Sequence, residues 1–315
     1  MHILLLANSK AFWAGPLTHG LETAGCRLSR NQWHADRAML ASIDACVVNF
    51  NEAVRRPFTL WALKRRLPRH VPVVGIDRDA PWQMGFRRRR LWLLAALRLL
   101  DIYASHTLQP LRYRYAPQTL YLPNAADTRE YHLGTTSVEA LRDPARYRYD
   151  VSFVGNMNAA RFKEHAERAE FMAALEPRLK ALGVNCLFRD TKDFPHEAQT
   201  ELVQTSRINL NYRSSADHGP ERSWGLPERC YGVPARGGFL LSDERRHAGD
   251  DFVPGKEWAS FDALDDCVEK IRYYLDHFEE SRAIAEAAHQ RVMRDHTYGT
   301  RAARLMQAIK QWKGR

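Results

Sequence analysis

DVSFVGN, Asp150–Asn156, is the point at which the chain starts its pattern again. Val151, Phe153 and Val154 belong to a short run of strand formers that ends in Gly155-Asn156, and a long helical pattern follows over about 159–182. A strand closed by a turn and succeeded by a helix is the opening of a β-α unit. The same opening stands near residue 1, where HILLLAN (His2–Asn8) is apolar at nearly every position. Such a strand has no solvent face and reads as buried on both sides in a parallel sheet. Between the two openings run further strands, DACVVNF (Asp44–Phe50), VPVVGID (Val71–Asp77), IYASH (Ile102–His106) and TLYLPNA (Thr119–Ala125). The helices of this half are PFTLWALKRRL (Pro57–Leu67), begun by its proline, and FRRRRLWLLAALRLL (Phe86–Leu100). Downstream of Asn156 the alternation resumes with VNCLFRD (Val184–Asp190), INLNY (Ile208–Tyr212), a short helix near 227–235 and GFLLSD (Gly238–Asp243), and helices close the chain. Alternating strands and helices with short connections specify parallel sheets covered by helices. The expected fold is therefore α/β, two doubly wound domains. Their expected bounds are 1–126 and 150–296, with a linker over 127–149 and a last helix in 297–315 that docks back toward the N-terminal domain.

The chain of 315 residues is about twice an ordinary domain in length. Its longest apolar run, Leu91–Leu97, is far below the ~20 residues of a membrane span. MHILLLANS carries no basic leader, so a strand is expected there in place of a signal peptide. The five cysteines form no CxxC pair, which points to reduced thiols in a cytoplasmic protein and away from a zinc site. Charge is unevenly placed. Residues 1–149 hold 22 Lys and Arg against 11 Asp and Glu, whereas residues 150–315 hold 25 against 26. A one-sided positive field suits an anionic partner: a phosphorylated compound, an acidic lipid or a nucleic acid. Arg87–Arg90 beside Trp92 read either as a solvated face of a core helix or as a peripheral membrane contact. No stacking platform or other nucleic-acid motif accompanies the charge, so nucleic acid ranks below the other partners.

In doubly wound sheets ligands lie beyond the carboxyl ends of the strands. In the second half the loop Arg213–Arg229 holds Ser223, Gly225 and Pro227 ahead of a helix, a pattern of N-terminal capping. Exposed N–H groups there, flanked by Arg222 and Arg229, form a candidate diphosphate seat. A structural helix cap is the alternative reading. In the first half, Asp77 and Asp79 form a D-x-D at a strand end. Asp79 and His19 are the candidate catalytic bases, with His106 behind them.

The ordered series RCYGVPARGGFLLSD (Arg229–Asp243), FVPGKEWASF (Phe252–Phe261), EKIRYYLDH (Glu269–His277) and RDHTYGTR (Arg294–Arg301) resembles the spore-maturation-protein (CgeB-like) branch of the GT-B glycosyltransferases. That branch reads R-x-F-E-x-x-A-C-G-G-F-L-L-T-D, then P-G-K-E, then H-T-Y-x-x-R. The resemblance covers nearly all of the second half, while the first half shares the pattern and LPNAAD (Leu122–Asp127). It implies two Rossmann-like domains facing one another across a cleft, the second holding a nucleotide-sugar donor and the first an acceptor. By the same resemblance Gly155 and Asn156 lie at the turn beside the sugar diphosphate. Arg229 matches the motif's Arg, Gly237 and Gly238 its glycine pair, and His296, Tyr298 and Arg301 the terminal signature, for which a docking role in the fold is expected. The sequence departs from the pattern at one place. The motif's Glu, which in GT-B enzymes holds the donor ribose, is Gly232 here, and Glu228 one helical turn earlier either replaces it or merely begins the helix.

The function so expected is transfer of a hexosyl or related sugar from a nucleotide-sugar donor to an acidic or membrane-associated acceptor. The enzyme would be cytoplasmic, at most peripheral at the inner membrane face, with no resident cofactor and no metal. The donor-binding set is Gly155, Asn156, Arg222, Ser223, Gly225, Glu228, Arg229 and Gly237. A non-catalytic binding or assembly protein of the same fold, and a glycosyltransferase acting on nucleic acid, are the alternatives.

Overall fold

A computed structural model describes residues 1–7, 12, 14–78, 88–108, 113–158, 163–191, 194, 196–213 and 224–312. The chain divides into two compact units, one of Met1–Pro123 with Tyr298–Arg315, the other of Asn124–Thr297.

In the first unit the order is β1 (His2–Leu6), α1 (Pro16–Thr23), β2 (Arg27–Arg30), α2 (Arg37–Ser42), β3 (Ala45–Asn49), α3 (Phe50–Arg55), α4 (Pro57–Lys64), β4 (Val73–Asp77), α5 (Arg88–Ala96), β5 (Ile102–Ser105) and β6 (Gln118–Tyr121). Helix starts follow from local chemistry. Pro16 and Pro57 open α1 and α4, where a missing N–H costs nothing. The Asp36 side chain caps α2 by accepting from the Met39 N–H at 2.7 Å, and Asn49 caps α3 by accepting from the Asn51 N–H at 2.9 Å. The strands are all parallel, in the order β2-β1-β3-β4-β5-β6. β1 is apolar throughout because both of its faces are covered. Leu4 and Leu6 pack with Leu40, Phe50, Leu60 and Leu94 of α2–α5, whereas Ile3 and Leu5 pack on the opposite layer. In α5, Leu91 and Leu94 are buried while Arg89, Arg90 and Trp92 are exposed. Arg87 lies outside the described residues.

The second unit runs β7 (Tyr149–Val154), α6 (Lys163–Ala181), β8 (Cys186–Arg189), α7 (His196–Gln204), β9 (Ser206–Asn211), α8 (Arg229–Ala235), β10 (Leu240–Asp243), α9 (Ala248–Asp251), β11 (Ala259–Phe261), α10 (Leu264–Asp276) and α11 (Phe278–Asp295). Its parallel sheet has the order β11-β10-β9-β7-β8. One layer is built on Val151, Phe153, Ile208 and Leu241 against α6 and α10, the other on Leu240 against Tyr231, Val233 and Val292. Residues 127–149, expected as a linker, are part of this unit. Leu141 is fully buried there, and Leu133 and Leu141 stand 2.8 and 2.6 Å from the point where a Cβ on Gly237 would lie.

The chain returns to the first unit with α12 (Tyr298–Lys310). Ala302, Leu305 and Ile309 cover Ile3, Leu5, Val47 and Val74. The backbone of α12 meets α1 so closely at Gly20 that a Cβ there would lie 2.7 Å from the Tyr298 carbonyl oxygen. Arg301, buried, donates from Nε to the Pro123 carbonyl at 3.1 Å, and Arg78 bonds the Tyr298 hydroxyl. His296, at the end of the second unit, bonds the Asp251 carbonyl through Nε2 at 2.7 Å. The terminal signature thus serves as packing. Among the described residues no helix is long and apolar enough to cross a membrane, and all five cysteines are free thiols.

Candidate active site

Both sheets carry a point where consecutive crossovers leave in opposite directions: between β1 and β3 in the first unit, between β7 and β9 in the second. Ligands of doubly wound proteins bind at the carboxyl side of such a point.

In the second unit that point gathers arginines. Arg229, first residue of α8, donates from Nη1 to the Asn211 side-chain oxygen at 2.9 Å and lies 4.8 Å over the Phe153 ring. Among the described residues this is its one side-chain hydrogen bond, so four of its five N–H donors remain for a ligand. Its Nη2 is 2.6 Å from the place of a Cβ on Gly155, and the Phe153 ring is 2.4 Å from the same place. Glycine at 155 is therefore what lets the guanidinium reach the end of β7. Arg168 is buried and ties the strand ends together, donating to the carbonyls of Asn156 at 2.7 Å, Tyr212 at 2.9 Å and Arg213 at 3.2 Å. Burial pushes the Arg168 guanidinium down to about 9, and the charges of Arg229 and Arg245 add to the effect. Burial likewise lowers Arg229, with Arg245 acting in the same sense.

Among the described residues two carboxylates, Asp243 and Glu164, answer the charge of Arg168. Asp243, at the end of β10, pairs with buried Arg245 at 3.2 Å and accepts from Asn211 Nδ2 at 3.0 Å. Arg245 also donates to the Gly225 carbonyl at 2.8 Å, which fixes the approach to α8. Among the described residues, three guanidinium groups against these two carboxylates leave the ends of β7, β9 and β10 positive, a setting for an anion.

The sequence-derived donor set is only partly assembled here. Gly155, Asn156, Gly225 and Arg229 converge. Gly237 does not: with φ at 78° it turns the chain after α8 beneath Leu133 and Leu141, at the far end of that helix from Arg229. The expected cap is also different. Arg222 and Ser223 lie outside the described residues. The N-cap is Glu228, which caps nothing with its side chain, and Pro227 precedes the helix instead of sitting in its first turn. Since α8 has seven residues, its dipole is short and the arginines supply most of the positive field.

Glu228 has helical φ and ψ and accepts the Gly232 N–H at 2.9 Å, so the two positions are stacked one turn apart. The space beside Gly232 is taken, however. The Tyr131 ring stands 3.2 Å from where a Cβ at 232 would be, with the Arg236 guanidinium 4.3 Å over the same ring. Glu228 and Tyr131 both help to hold the charge of buried Arg236, whose pKa burial lowers.

In the first unit Asp77 is buried at the end of β4 and accepts from the Tyr103 hydroxyl at 2.5 Å. Burial, with the adjacent Asp77 carboxylate, pushes the Tyr103 phenol well up, so the pair stays a proton-holding strut of the fold. Asp79 lies outside the described residues. His19 is exposed on α1, its Nε2 3.5 Å from the Thr23 hydroxyl, and His106 is buried after β5. Among the described residues no three His, Cys, Asp or Glu come together as a metal-binding group.

Phe153, Arg168, Asn211, Asp243 and Arg245 were not singled out by sequence reasoning. Arg168 had a signal: three and four residues before Phe171 and Met172, it lies on the apolar face of α6, where a charge calls for a partner.

The fold has many relatives of known structure. Sucrose-phosphate synthase from Thermosynechococcus elongatus superposes with a TM-score of 0.67 at 11% identity, over 99% of this chain and 98% of that one. Anabaena Alr3699/HepE in complex with UDP gives 0.65 at 12% identity, over 98% and 100%. An alpha-glucosyltransferase in complex with UDP-glucose and DNA containing an abasic site gives 0.61 at 10%, over 98% and 99%. At these identities the likeness establishes the architecture, two parallel α/β sheets of the GT-B glycosyltransferase kind. No curated protein matches the sequence. Residues 138–307, more than half of the chain, match the family described as glycosyl transferase-like. With the arginine-lined strand ends inside that matched span, the chain belongs to the glycosyl transferase-like family.

Proposed function

We propose that the chain transfers a hexosyl or related sugar from a nucleotide-sugar donor to an acidic or membrane-associated acceptor, as a member of the spore-maturation branch. The observation that carries the reading is the meeting of Arg168, Arg229 and Arg245 over Phe153, Asn211 and Asp243. As the bond between the anomeric carbon and the diphosphate oxygen breaks, its electron pair stays on that oxygen and the departing nucleoside diphosphate gains negative charge. Arg229, preset by Asn211 and Phe153, meets that charge with unused N–H donors. Preset charge of this kind stabilises a transition state without reorganisation. Arg168 and Arg245 keep the loops in place and contribute field more than contact, because their own N–H groups are already committed to carbonyls and Asp243. In this reading the guanidinium groups do the neutralising that a divalent metal does elsewhere, so neither metal nor resident cofactor is required. Gly155, Asn156, Gly225 and Arg229 bind the donor, with Arg222, Ser223 and Glu228 beside them. An acceptor hydroxyl is deprotonated by His19 or Asp79.

Purified protein incubated with UDP-, GDP- and dTDP-sugars, with and without EDTA, tests the proposal through thermal shift and release of the free nucleotide. One donor is expected to stabilise the chain and to turn over equally with chelator present. If no donor shifts the melting temperature or is consumed, the binding-protein alternative takes its place.

A further inference from the structure

The amino-terminal ends of β4, β5 and β6 border a cavity of about 610 Å3, on the edge of the first sheet opposite to Asp77. Each connection leading into these strands brings a cation. Lys64 ends α4, Arg65 and Arg69 stand between α4 and β4, Arg98 between α5 and β5, and Arg114 just before β6. Lys64 is spoken for: Nζ pairs with Asp101 at 2.8 Å and bonds the Arg98 carbonyl at 2.9 Å, while the other Asp101 oxygen accepts the Val73 N–H. The four guanidinium groups are different. All four are exposed, and among the described residues none of them pairs with a carboxylate, although the Asp101 that Lys64 holds also lines the cavity. Arg65 leans on the Trp61 ring at 4.7 Å, and Arg114 is steadied by one bond to the Pro117 carbonyl at 3.0 Å.

Compensation of helix dipoles accounts for part of this charge, since Arg65 and Arg98 follow the ends of α4 and α5. It does not account for Arg69 or Arg114, which follow no helix. Arg98 itself holds φ at 48°, a left-handed position at a helix end where glycine is the ordinary residue. An arginine kept there against backbone preference is a sign of use for its side chain. The rest of the lining is apolar or aromatic, including buried Tyr115 and the Trp312 ring beyond α12. The volume falls within the ~300–1,000 Å3 of small-molecule sites.

From the four unanswered arginines around an apolar floor we infer that this edge of the first unit binds a phosphate ester, its phosphate among Arg69, Arg98 and Arg114 and its carbon body against Tyr115 and Trp312. Guanidinium forks match phosphate oxygens two at a time. The site is separate from the donor seat of the second unit and does not depend on the sugar-transfer reading. A soluble organic phosphate and a lipid headgroup present the same chemistry, and the two arms of the test tell them apart.

The full chain carrying Arg229→Ala, so that the arginine cluster of the second unit is weakened as a competitor, is titrated calorimetrically with tripolyphosphate. It is also mixed with phosphatidylcholine vesicles with and without phosphatidylglycerol. Arg98→Gly with Arg114→Ala is compared with Arg37→Ala plus Arg272→Ala, which removes the same charge from exposed places elsewhere. Arg98→Gly relaxes the backbone, so loss of folding is not a concern at that position. The cavity pair is expected to bind at least about tenfold more weakly than the control pair. A loss seen only with tripolyphosphate assigns a soluble phosphate, and a loss of sedimentation with phosphatidylglycerol vesicles assigns a lipid headgroup. Equal behaviour of the two pairs, or no binding by the parent in either arm, overturns the inference. UDP binding in the Arg229-intact cavity pair reports on the donor seat independently.

Discussion

Replacing Arg229 by alanine removes the guanidinium on which the proposed donor seat depends, and its effects on binding and on stability are expected to separate. Within the folded chain the side chain has one hydrogen bond, to Asn211 at 2.9 Å, and a cation–ring contact with Phe153 at 4.8 Å. Their loss costs about 1–3 kcal/mol. Against this stands the repulsion that Arg229 exerts on Arg168 and Arg245, which disappears with it. The net change in stability should stay within about 2 kcal/mol, a size the variant tolerates. Binding has no such offset. A charge-assisted contact to a diphosphate oxygen contributes ~1.5–3 kcal/mol, so the dissociation constant for the nucleoside diphosphate should rise roughly 10- to 150-fold. Calorimetric titration with UDP and with GDP, alongside urea unfolding of both proteins, measures the two quantities. A folded variant with the parent's affinity would refute the placement of the diphosphate at the ends of β7 and β9.

Four further outcomes are expected. Gly155→Ala puts a Cβ 2.4 Å from the Phe153 ring and 2.6 Å from Arg229 Nη2; it should cost about 1–3 kcal/mol in urea unfolding and weaken nucleotide binding as Arg229 is displaced. Glu228→Gln should reduce donor affinity by ~1–3 kcal/mol if that carboxylate holds the ribose, and titration with parent-like affinity reduces Glu228 to a helix-start residue. Gly232→Glu puts a Cβ 3.2 Å from the Tyr131 ring, so rescue depends on that ring giving by a few tenths of an ångström and should be fuller with Tyr131→Ala in the same chain. Asp243→Asn leaves the buried Arg245 charge without its partner and should destabilise the chain by ~3–5 kcal/mol, read from chemical unfolding.

The elements that could be read from sequence are those whose pattern reflects burial. β1 and β3 are buried on both faces and are apolar at nearly every position. β2, Arg27–Arg30, escaped because it is an edge strand whose RLSR is half-exposed and polar, with no alternation to betray it. The end of α8 at Ala235 is where the sequence put it, but its start lies two residues later than expected, for a related reason. Pro227 and Ser223 are good start signals taken one at a time, whereas the observed start is set by where the chain can pack Leu226 and Cys230, a tertiary condition. At the site, Arg229 and Gly155 were legible from motif and turn chemistry. Asp243 and Arg245 stand only two residues apart, yet their partners Asn211 and Gly225 come from elsewhere in the chain. No spacing rule links such residues before folding. Tyr131 is the plainest case: its occupation of the space beside Gly232 joins a segment read as a linker to a helix about a hundred residues later.

The placement of α12 has a consequence for how the chain is made. The first sheet is complete in sequence at Tyr121, yet the layer built on Ile3, Leu5, Val47 and Val74 is closed by Ala302, Leu305 and Ile309. Synthesis runs at ~5–20 residues per second, so that layer waits roughly 10–35 s for its cover. The second unit, drawn from one continuous stretch, has no such wait and can finish first. During the interval the nascent first unit exposes an aliphatic surface, a target for a holding chaperone and a point of vulnerability to premature termination. A ribosome stalled anywhere between Asn124 and Thr297 would present a finished sheet with one side covered only in part, by Leu17 and Leu21 of α1.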